Sequence, residues 1–508
     1  MIISRLTKNI TYSLCGQILI ILLGFVSVKY IFGRLGADAL GIIYFTVTLN
    51  TLLCRVLDMG ICSTTVREVS AHINNEPDYV HDLIRTASLF YWGAFFFSGL
   101  AVYALSPILV QKWINLNEMD SGTAVYILRL LGIASLFAFQ QSFYTSIFTG
   151  LQRMEFNNFI DVAIGILRQF GIILTLIMGG GLLPVVYWIS ACYGLSIFLY
   201  LIVLRRFFPL KALVPGYSSS VIKRNRKFAL VMTLQTILGG IISQIDKVIL
   251  SKFMPIGVFG YYTFAYGNVS KGELIADAIS VAAYPSFAAL YRSGDRKVLL
   301  TQYRKLHELL CFSTGPIFAL IPFALLPLYS FMLNREAAKL LLVPTTLLCL
   351  GFYIRGAIRI QHTFAVASGK PEIAVKTNLL AVLTVTPTSI SLIYYFGMTG
   401  AALSWILYNV FNALYAIPRI YKECIKIPVR EWYFQMLKVL SLIVSVYGVA
   451  WFSLYLIDNY SLLSLTVAYL IATIIFLAAS YKMIGQELRD QLLITSKSLG
   501  NKMWSLHK

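Results

Sequence analysis

The chain has 508 residues, of which 58% are apolar and only 13% charged, and it carries a formal net charge of +20. An average soluble protein is about 25% charged, and one of this length divides into domains with polar surfaces and linkers. No polar domain of that kind can be found, which excludes a soluble multidomain protein.

Uncharged or nearly uncharged runs of about twenty residues recur from end to end, the length that crosses about 30 Å of hydrocarbon as a helix. Lipid offers backbone N–H and C=O groups no partner, so such runs must be helical. In chain order, fourteen spans are expected, at 10–32, 39–58, 86–110, 124–149, 159–178, 183–204, 228–251, 258–285, 309–332, 340–366, 373–395, 398–418, 435–457 and 461–481. The first run lacks an A-x-A-like cleavage site and is expected to stay as a helix. The predicted fold is an all-α polytopic membrane protein.

The basic residues give the orientation. With both ends inside, only Arg34, Lys112, Lys252, Arg335 and Lys339 fall in outer loops, while the inner segments carry most of the 42 Lys and Arg residues. This is the positive-inside pattern. It places Gly180 and Asp458 outside and Ser219 and Lys497 inside, with cytoplasmic N- and C-termini. Clusters such as Lys223, Arg224, Arg226 and Lys227 therefore read as anchors to anionic headgroups and not as nucleic-acid grips. Many aromatics sit near span ends, among them Tyr91, Trp92, Trp113, Trp432, Tyr433 and Trp504, and are expected to form interfacial belts. The seven cysteines show no paired spacing, and neither a P-loop nor a nucleophile–base pair can be found. No cofactor, metal or catalytic set is expected.

An internal repeat organises the chain. At a shift of 217–218 residues Gln17 meets Gln235, Arg34-Leu35 meets Lys252-Phe253, and Trp188 meets Trp405. Gln152-Arg153-Met154-Glu155-Phe156 lies over Gly369-Lys370-Pro371-Glu372-Ile373, and the stretch 37–44 resembles 255–262 with a one-residue slip. The expected layout is a six-helix lobe at 1–204, a basic cytoplasmic linker at 205–227, a second six-helix lobe at 228–418, two added helices at 419–482 and a cytoplasmic tail at 483–508. Both lobes have an even number of spans and insert the same way up, as parallel repeats do in rocking transporters.

Leu57-Asp58-Met59-Gly60 with Thr64-Thr65-Val66-Arg67-Glu68, the GADALGIIYF loop with its counterpart PIGVFGYYTF, and the FTGLQRMEF turn resemble the polysaccharide flippases. Their O-antigen members are called Wzx, and they belong to the multidrug/oligosaccharidyl-lipid/polysaccharide exporter superfamily. The resemblance implies two lobes in a MATE-like V shape around a cavity that opens to each side in turn. It also implies an oligosaccharide on an undecaprenyl-pyrophosphate carrier as substrate, in a bacterial inner membrane, with membrane lipids and other polysaccharide-assembly proteins as partners. A monomer is the simplest expectation for a cavity enclosed by one chain.

Charged residues inside spans are costly and mark cavities or ion pairs. Nine are basic (Lys29, Arg55, Arg129, Arg168, Lys247, Lys271, Arg355, Arg359 and Lys438) and five acidic (Asp58, Asp161, Asp246, Glu273 and Asp277), a balance that favours an anionic passenger. Arg355, Arg359 and His362 share one face of the tenth span and form a candidate anion clamp. The alternative is a pairing with acidic residues of another span. Asp161 and Arg168 share a face of the fifth span, where an ion pair is expected. Asp246 belongs to a polar face with Gln235 and Ser243, with Lys247 beside it, and Lys271, Glu273 and Asp277 crowd the eighth span as either a watery cleft or a charge network. Arg55 and Asp58 read as a surface pair and Lys438 as a snorkelling side chain, as Lys29 also could be; Arg168, Lys247, Lys271, Arg129 and Lys29 are further cationic cavity candidates, and Asp161, Asp246, Glu273 and Asp277 candidates for coupling or charge pairing.

Three function classes follow. They are a lipid-linked oligosaccharide flippase, another transporter of the same fold (a lipid II flippase or a cation-coupled antiporter), and a membrane glycan polymerase or ligase. The last needs a sizeable outer loop with catalytic residues, and the longest outer loop expected, residues 111–123, has none.

Overall fold

The computed structural model describes residues 2–457, 461–486 and 488–489, and side chains from residue 16 onward with the exception of residue 455. Asp458, Lys497 and Trp504, named above, lie outside the described residues. Among the described residues every regular element is helical, and the only β-type pairing is an isolated bridge between Asn115 and Pro255.

Twelve helical stretches are long and apolar enough to cross a bilayer. In chain order the principal helices are α1 Ile2–Leu57, α2 Ile61–His72, α3 Pro77–Lys112, α4 Ser121–Ser135, α5 Phe137–Gly150, α6 Met154–Ile177 and α7 Leu182–Leu204. There follow a short turn α8 Leu210–Leu213, then α9 Ser219–Phe253, α10 Ile256–Ser270, α11 Leu274–Ser293, α12 Arg296–Met332, α13 Arg335–Ala367 and α14 Glu372–Ile420. The chain continues as α15 Arg430–Ile443, α16 Val449–Ile457 and α17 Leu462–Met483. The expected linker at 205–227 is helical in its second part, because α9 begins at Ser219 and carries the basic cluster on its first turns.

Two stretches are too long for one crossing: Gly16–Leu57 has 42 residues and Glu372–Ile425 has 54. At 1.5 Å per residue either would far exceed 30 Å of hydrocarbon. Each is broken by a glycine with non-helical backbone, Gly36 (φ 81°, ψ −178°) and Gly397 (φ 57°, ψ −128°). Both breaks recur as open turns at the repeat offset. Gly397 falls over Gly180 of the turn between α6 and α7, and Gly36 over Met254 between α9 and α10.

The repeat reappears most clearly where α5 and α13 end. Gln152 (φ 59°) and Gly369 (φ 81°), 217 residues apart, both take the left-handed conformation. Gln152 N–H donates to Thr149 O at 3.0 Å and Arg153 N–H to Phe148 O at 2.9 Å; Gly369 N–H donates to Val366 O at 3.0 Å and Lys370 N–H to Ala365 O at 2.9 Å. The same helix-terminating motif is built twice, once with the favoured glycine and once with glutamine.

By its contacts the chain divides into two compact units, Met1–Phe264 and Ala265–Lys508, with the boundary inside α10. In the first unit the core is aromatic. Tyr91 stacks on Phe139 with ring centroids 4.0 Å apart and on Phe143 at 4.9 Å, and Gln140 Nε2 donates to the Tyr91 carbonyl. Such pairs add about 0.5–1.5 kcal/mol each beyond packing. Tyr91 and Trp432 are therefore core residues, 0% and 2% exposed, and not the headgroup anchors their positions near span ends suggested. Large apolar side chains such as Phe97, Val281, Tyr395 and Leu463 are instead fully exposed on the outside, as a lipid-facing surface requires.

Candidate functional site

The first unit contains a cavity of about 740 Å³. Its walls follow from helical periodicity. The end of α1 contributes Thr51, Cys54, Arg55 and Asp58 on one face, and α5 contributes Gln141, Ser142, Thr145 and Thr149 on another. α6 adds Arg168, α7 adds Tyr193 and α9 adds Thr236. Eight serine and threonine side chains line it altogether, a density unusual for helices that face lipid on their other side. Gly240 of α9 permits the approach to Arg55, since a Cβ there would lie 2.6 Å from the Arg55 Cβ.

The two arginines of this cavity have no salt-bridge partner among the described residues. The expected Arg55–Asp58 pair does not form. Asp58 Oδ1 accepts instead from the Tyr91 hydroxyl at 2.5 Å and from Cys62 N–H at 3.2 Å, so its carboxylate closes the turn into α2. The Asp161–Arg168 pair does not form either. Seven residues are two helical turns, about 10 Å along the axis, too far for an aspartate to reach. Asp161 Oδ1 accepts from Gln141 Nε2 at 2.7 Å and Tyr200 OH at 3.1 Å, and the Arg168 guanidinium lies 5.8 Å from the centroid of the Tyr193 ring. Ser196 Oγ donates to Gln141 Oε1 at 3.0 Å, which fixes that amide. The wall therefore holds a satisfied amide–carboxylate network beside an arginine whose N–H groups remain available. Arg168, a cavity candidate from the sequence, lines this cavity together with Arg55, which the sequence placed in a surface pair; Gln141 and the hydroxyls were not singled out. A polar count along each helical face of α5 would have found Gln141, Ser142, Thr145 and Thr149.

The remaining candidates separate by environment. Lys247 and Asp246 are buried in the first unit, 3% and 2% exposed, with Lys247 Nζ 3.3 Å from Asp246 Oδ1 and donating to Ser243 O at 2.8 Å. Tyr262 OH donates to Asp246 Oδ2 at 2.7 Å. This is a closed ion pair and not a cavity lining; burial of a lysine demands such partners. Arg129 Nε donates to the Tyr103 carbonyl at 3.1 Å with its guanidinium 4.1 Å from that ring, outside the cavity lining. Lys29 is half-buried on α1.

In the second unit Arg355 and Arg359 meet Glu273 and Asp277. Arg355 Nε lies 3.1 Å from Glu273 Oε1, and Arg359 pairs with Asp277 Oδ1. Each pair of like charges is spaced four residues apart, so two rungs match between α13 and the start of α11. The arginines thus take the alternative that the sequence left open, an acidic partner on another helix. Arg355 also lies 5.0 Å from the Trp405 ring centroid, and His362 Nε2 is 2.9 Å from Asn412 Oδ1. Lys271 is exposed at the start of the 3₁₀ turn Lys271–Glu273. A second cavity, about 490 Å³ and almost wholly apolar, is lined by Phe318, Phe323, Leu347, Ile443, Tyr447 and Trp451 among others, beside a π-helical turn at Val444–Gly448.

With this geometry in place, comparison with known proteins is informative. A profile of the polysaccharide biosynthesis protein family matches residues 6–291. An uncharacterized membrane protein in the cps region of Klebsiella pneumoniae is 20% identical over 421 residues, 80% of each chain. Among solved structures, the lipid II flippase MurJ in an inward closed conformation superposes with a TM-score of 0.70 at 15% identity, covering 93% of this chain and 99% of that one. An inward-facing multidrug resistance MATE family transporter of the MOP superfamily gives 0.67 at 12% identity, covering 79% and 94%. At such identities the structures establish a shared MATE-like fold, and the profile covers more than half of the sequence. The chain is a multi-pass membrane protein of the polysaccharide biosynthesis protein family, with a MATE-like fold.

Proposed function

We propose that this protein is a flippase that moves undecaprenyl-pyrophosphate-linked oligosaccharide repeat units across the bacterial inner membrane for O-antigen, capsule or exopolysaccharide assembly. The observation that carries the reading is the hydroxyl-lined cavity with Arg55 and Arg168 in helices that otherwise face lipid. Its volume lies within the roughly 300–1,000 Å³ of ligand sites. Serine, threonine and amide groups suit sugar hydroxyls, and unpaired guanidinium groups suit a diphosphate. The apolar cavity of the second unit suits a hydrocarbon chain. No element of this reading calls for covalent chemistry.

In the same reading the chain crosses fourteen times, with Gly36 and Gly397 as the sharp turns within its two longest helical stretches. The two repeats form lobes at 1–204 and 228–418 that rock about a central site, one chain suffices, and both termini lie in the cytoplasm. An impermeant thiol reagent should label a cysteine at Gly180 in intact cells and spare one at Ser219.

The test is genetic and biochemical. A strain lacking the gene should accumulate lipid-linked glycan in the inner leaflet and lose surface polysaccharide, and the wild-type chain should restore both. Normal surface polysaccharide in the deletion strain would overturn the proposal. A second reading, lipid II transport, is favoured by the end-to-end match to the MurJ fold. It predicts that the chain rescues a strain depleted of its lipid II flippase, which the first reading does not.

A further inference from the structure

The two copies of the repeated loop motif meet each other inside the first unit. Gly41, from GADALGIIYF, and Gly260, from PIGVFGYYTF, sit face to face: a Cβ on Gly260 would lie 2.8 Å from the Gly41 Cα, and one on Gly41 would lie 2.1 Å from the Ile256 carbonyl oxygen. One turn earlier, a Cβ on Gly257 would lie 2.7 Å from the Ala37 Cβ. At Gly41 and Gly260 a Cβ would strike backbone, so only glycine fits there, and Leu40, Ile42, Ile256 and Phe259 around them are 0–1% exposed. It is a dry backbone-to-backbone contact of the kind that small residues permit between membrane helices.

The contact is stapled from the neighbouring loop. Asp38 Oδ2 accepts from the N–H groups of Asn117 at 2.9 Å and Glu118 at 2.8 Å. The same loop reaches the other copy, where Ile256 N–H donates to the Asn115 carbonyl at 2.9 Å and Trp113 Nε1 to Ser251 Oγ at 3.1 Å.

We propose that the Gly41–Gly260 crossing is the outer seal of the transport path, and that it must part once in each cycle. The inference rests on the alternating-access reading given above. If the repeats move as two lobes, residues 37–44 belong to one and 255–262 to the other, so this contact cannot persist when the path opens outward. Equivalent glycines of the two copies would then serve as a pair that closes by shape alone, with no charge to neutralise. The polar staple around them would set how readily the pair opens.

Two variants test this in the full chain. The first is Ala37→Cys with Gly257→Cys. The Cβ separation there is slightly inside the roughly 3.5–4.5 Å of a disulfide, so a small shift lets the bond form. Oxidant should link residues 37 and 257, detected by mass mapping, and lower glycan export at least about tenfold, with recovery on reduction. A failure to link, or full export by the linked chain, overturns the seal. The second is Gly41→Val in a chain whose sole cysteine is Cys54, a cavity-lining residue. An impermeant thiol reagent added outside should label it about fivefold faster than with Gly41 present. Unchanged labelling at normal protein levels also overturns the seal. Where Gly41→Val lowers protein levels, the disulfide arm decides. Thiol access does not depend on the passenger, so if the chain exports no glycan, slower labelling of Cys54 in the linked chain still supports the seal and equal labelling overturns it.

Discussion

The two compact units treat their arginines in opposite ways. In the first, Arg55 and Arg168 line a hydroxyl-rich cavity with no carboxylate paired to them among the described residues, while Asp58 and Asp161 accept from Tyr91, Cys62, Gln141 and Tyr200. In the second, Arg355 and Arg359 are matched by Glu273 and Asp277, and the large cavity is apolar. The lesson concerns neutral groups: an amide and two phenols placed beside the aspartates leave cations available that the composition would have paired off. Such local choices give one unit a polar cavity and the other an apolar one.

The comparison can be broken most directly at the cavity arginines. Arg55→Ala with Arg168→Ala should lower glycan export by about two orders of magnitude at near-normal protein levels, and Arg→Lys should lower it less, since lysine keeps the charge but loses the bidentate fork. Export unaffected by the double substitution would remove the functional contrast between the units. The second unit should respond in stability. Arg355→Ala strands Glu273 and should cost about 1–3 kcal/mol in detergent-solubilised protein, between the small value of a surface pair and the 3–5 kcal/mol of a fully buried one. Adding Glu273→Gln should restore part of it, read from thermal unfolding as a double-mutant cycle. No coupling between the two would mean that Arg355 and Glu273 contribute nothing to stability as a pair.

The repeated turn offers a finer contrast. Gly369→Ala forces a β-carbon into the left-handed region and should cost about 1 kcal/mol, whereas Gln152→Gly at the equivalent turn relieves that strain and should change stability by less, with the opposite sign. The smallest effect is expected outside the spans. The Arg224 guanidinium, with Nη1 2.8 Å from Glu76 Oε2, holds the exposed Glu76 carboxyl below its usual value of 4.5. A depressed carboxyl pKa contributes stability that is present above the unfolded value and lost as pH falls through the folded one. Glu76→Gln should therefore remove a slight acid dependence below about pH 4.5 and leave neutral behaviour unchanged. A variant with the same acid profile as wild type would show that the pair contributes nothing.

Membrane insertion and helical class could both be read from the sequence, for one reason: the bilayer constrains residues one at a time. Each span needs its own apolar length and each charge carries its own cost, so runs, loop charges and the 217-residue offset appear without knowledge of neighbours. The turn at Gln152 and Gly369 belongs to the same class, since a helix terminator is local.

The partners of the charged residues could not be read this way. Arg355 and Arg359 found carboxylates about eighty positions away, Asp161 found Gln141 and Tyr200 where Arg168 was expected, and Lys247 proved to be sealed with Asp246. Tyr91 and Trp432, placed by position at the membrane surface, are instead packed in the core. Spacing on a helix fixes which residues share a face, but which helix that face meets depends on tertiary packing. The sequence by itself determined that this chain folds as membrane helices whose apolar stretches carry more basic than acidic residues. Only the tertiary structure decided which of those charges meet a carboxylate and which line a cavity, because each charge's energy depends on neighbours from other helices and not on its own position in the chain.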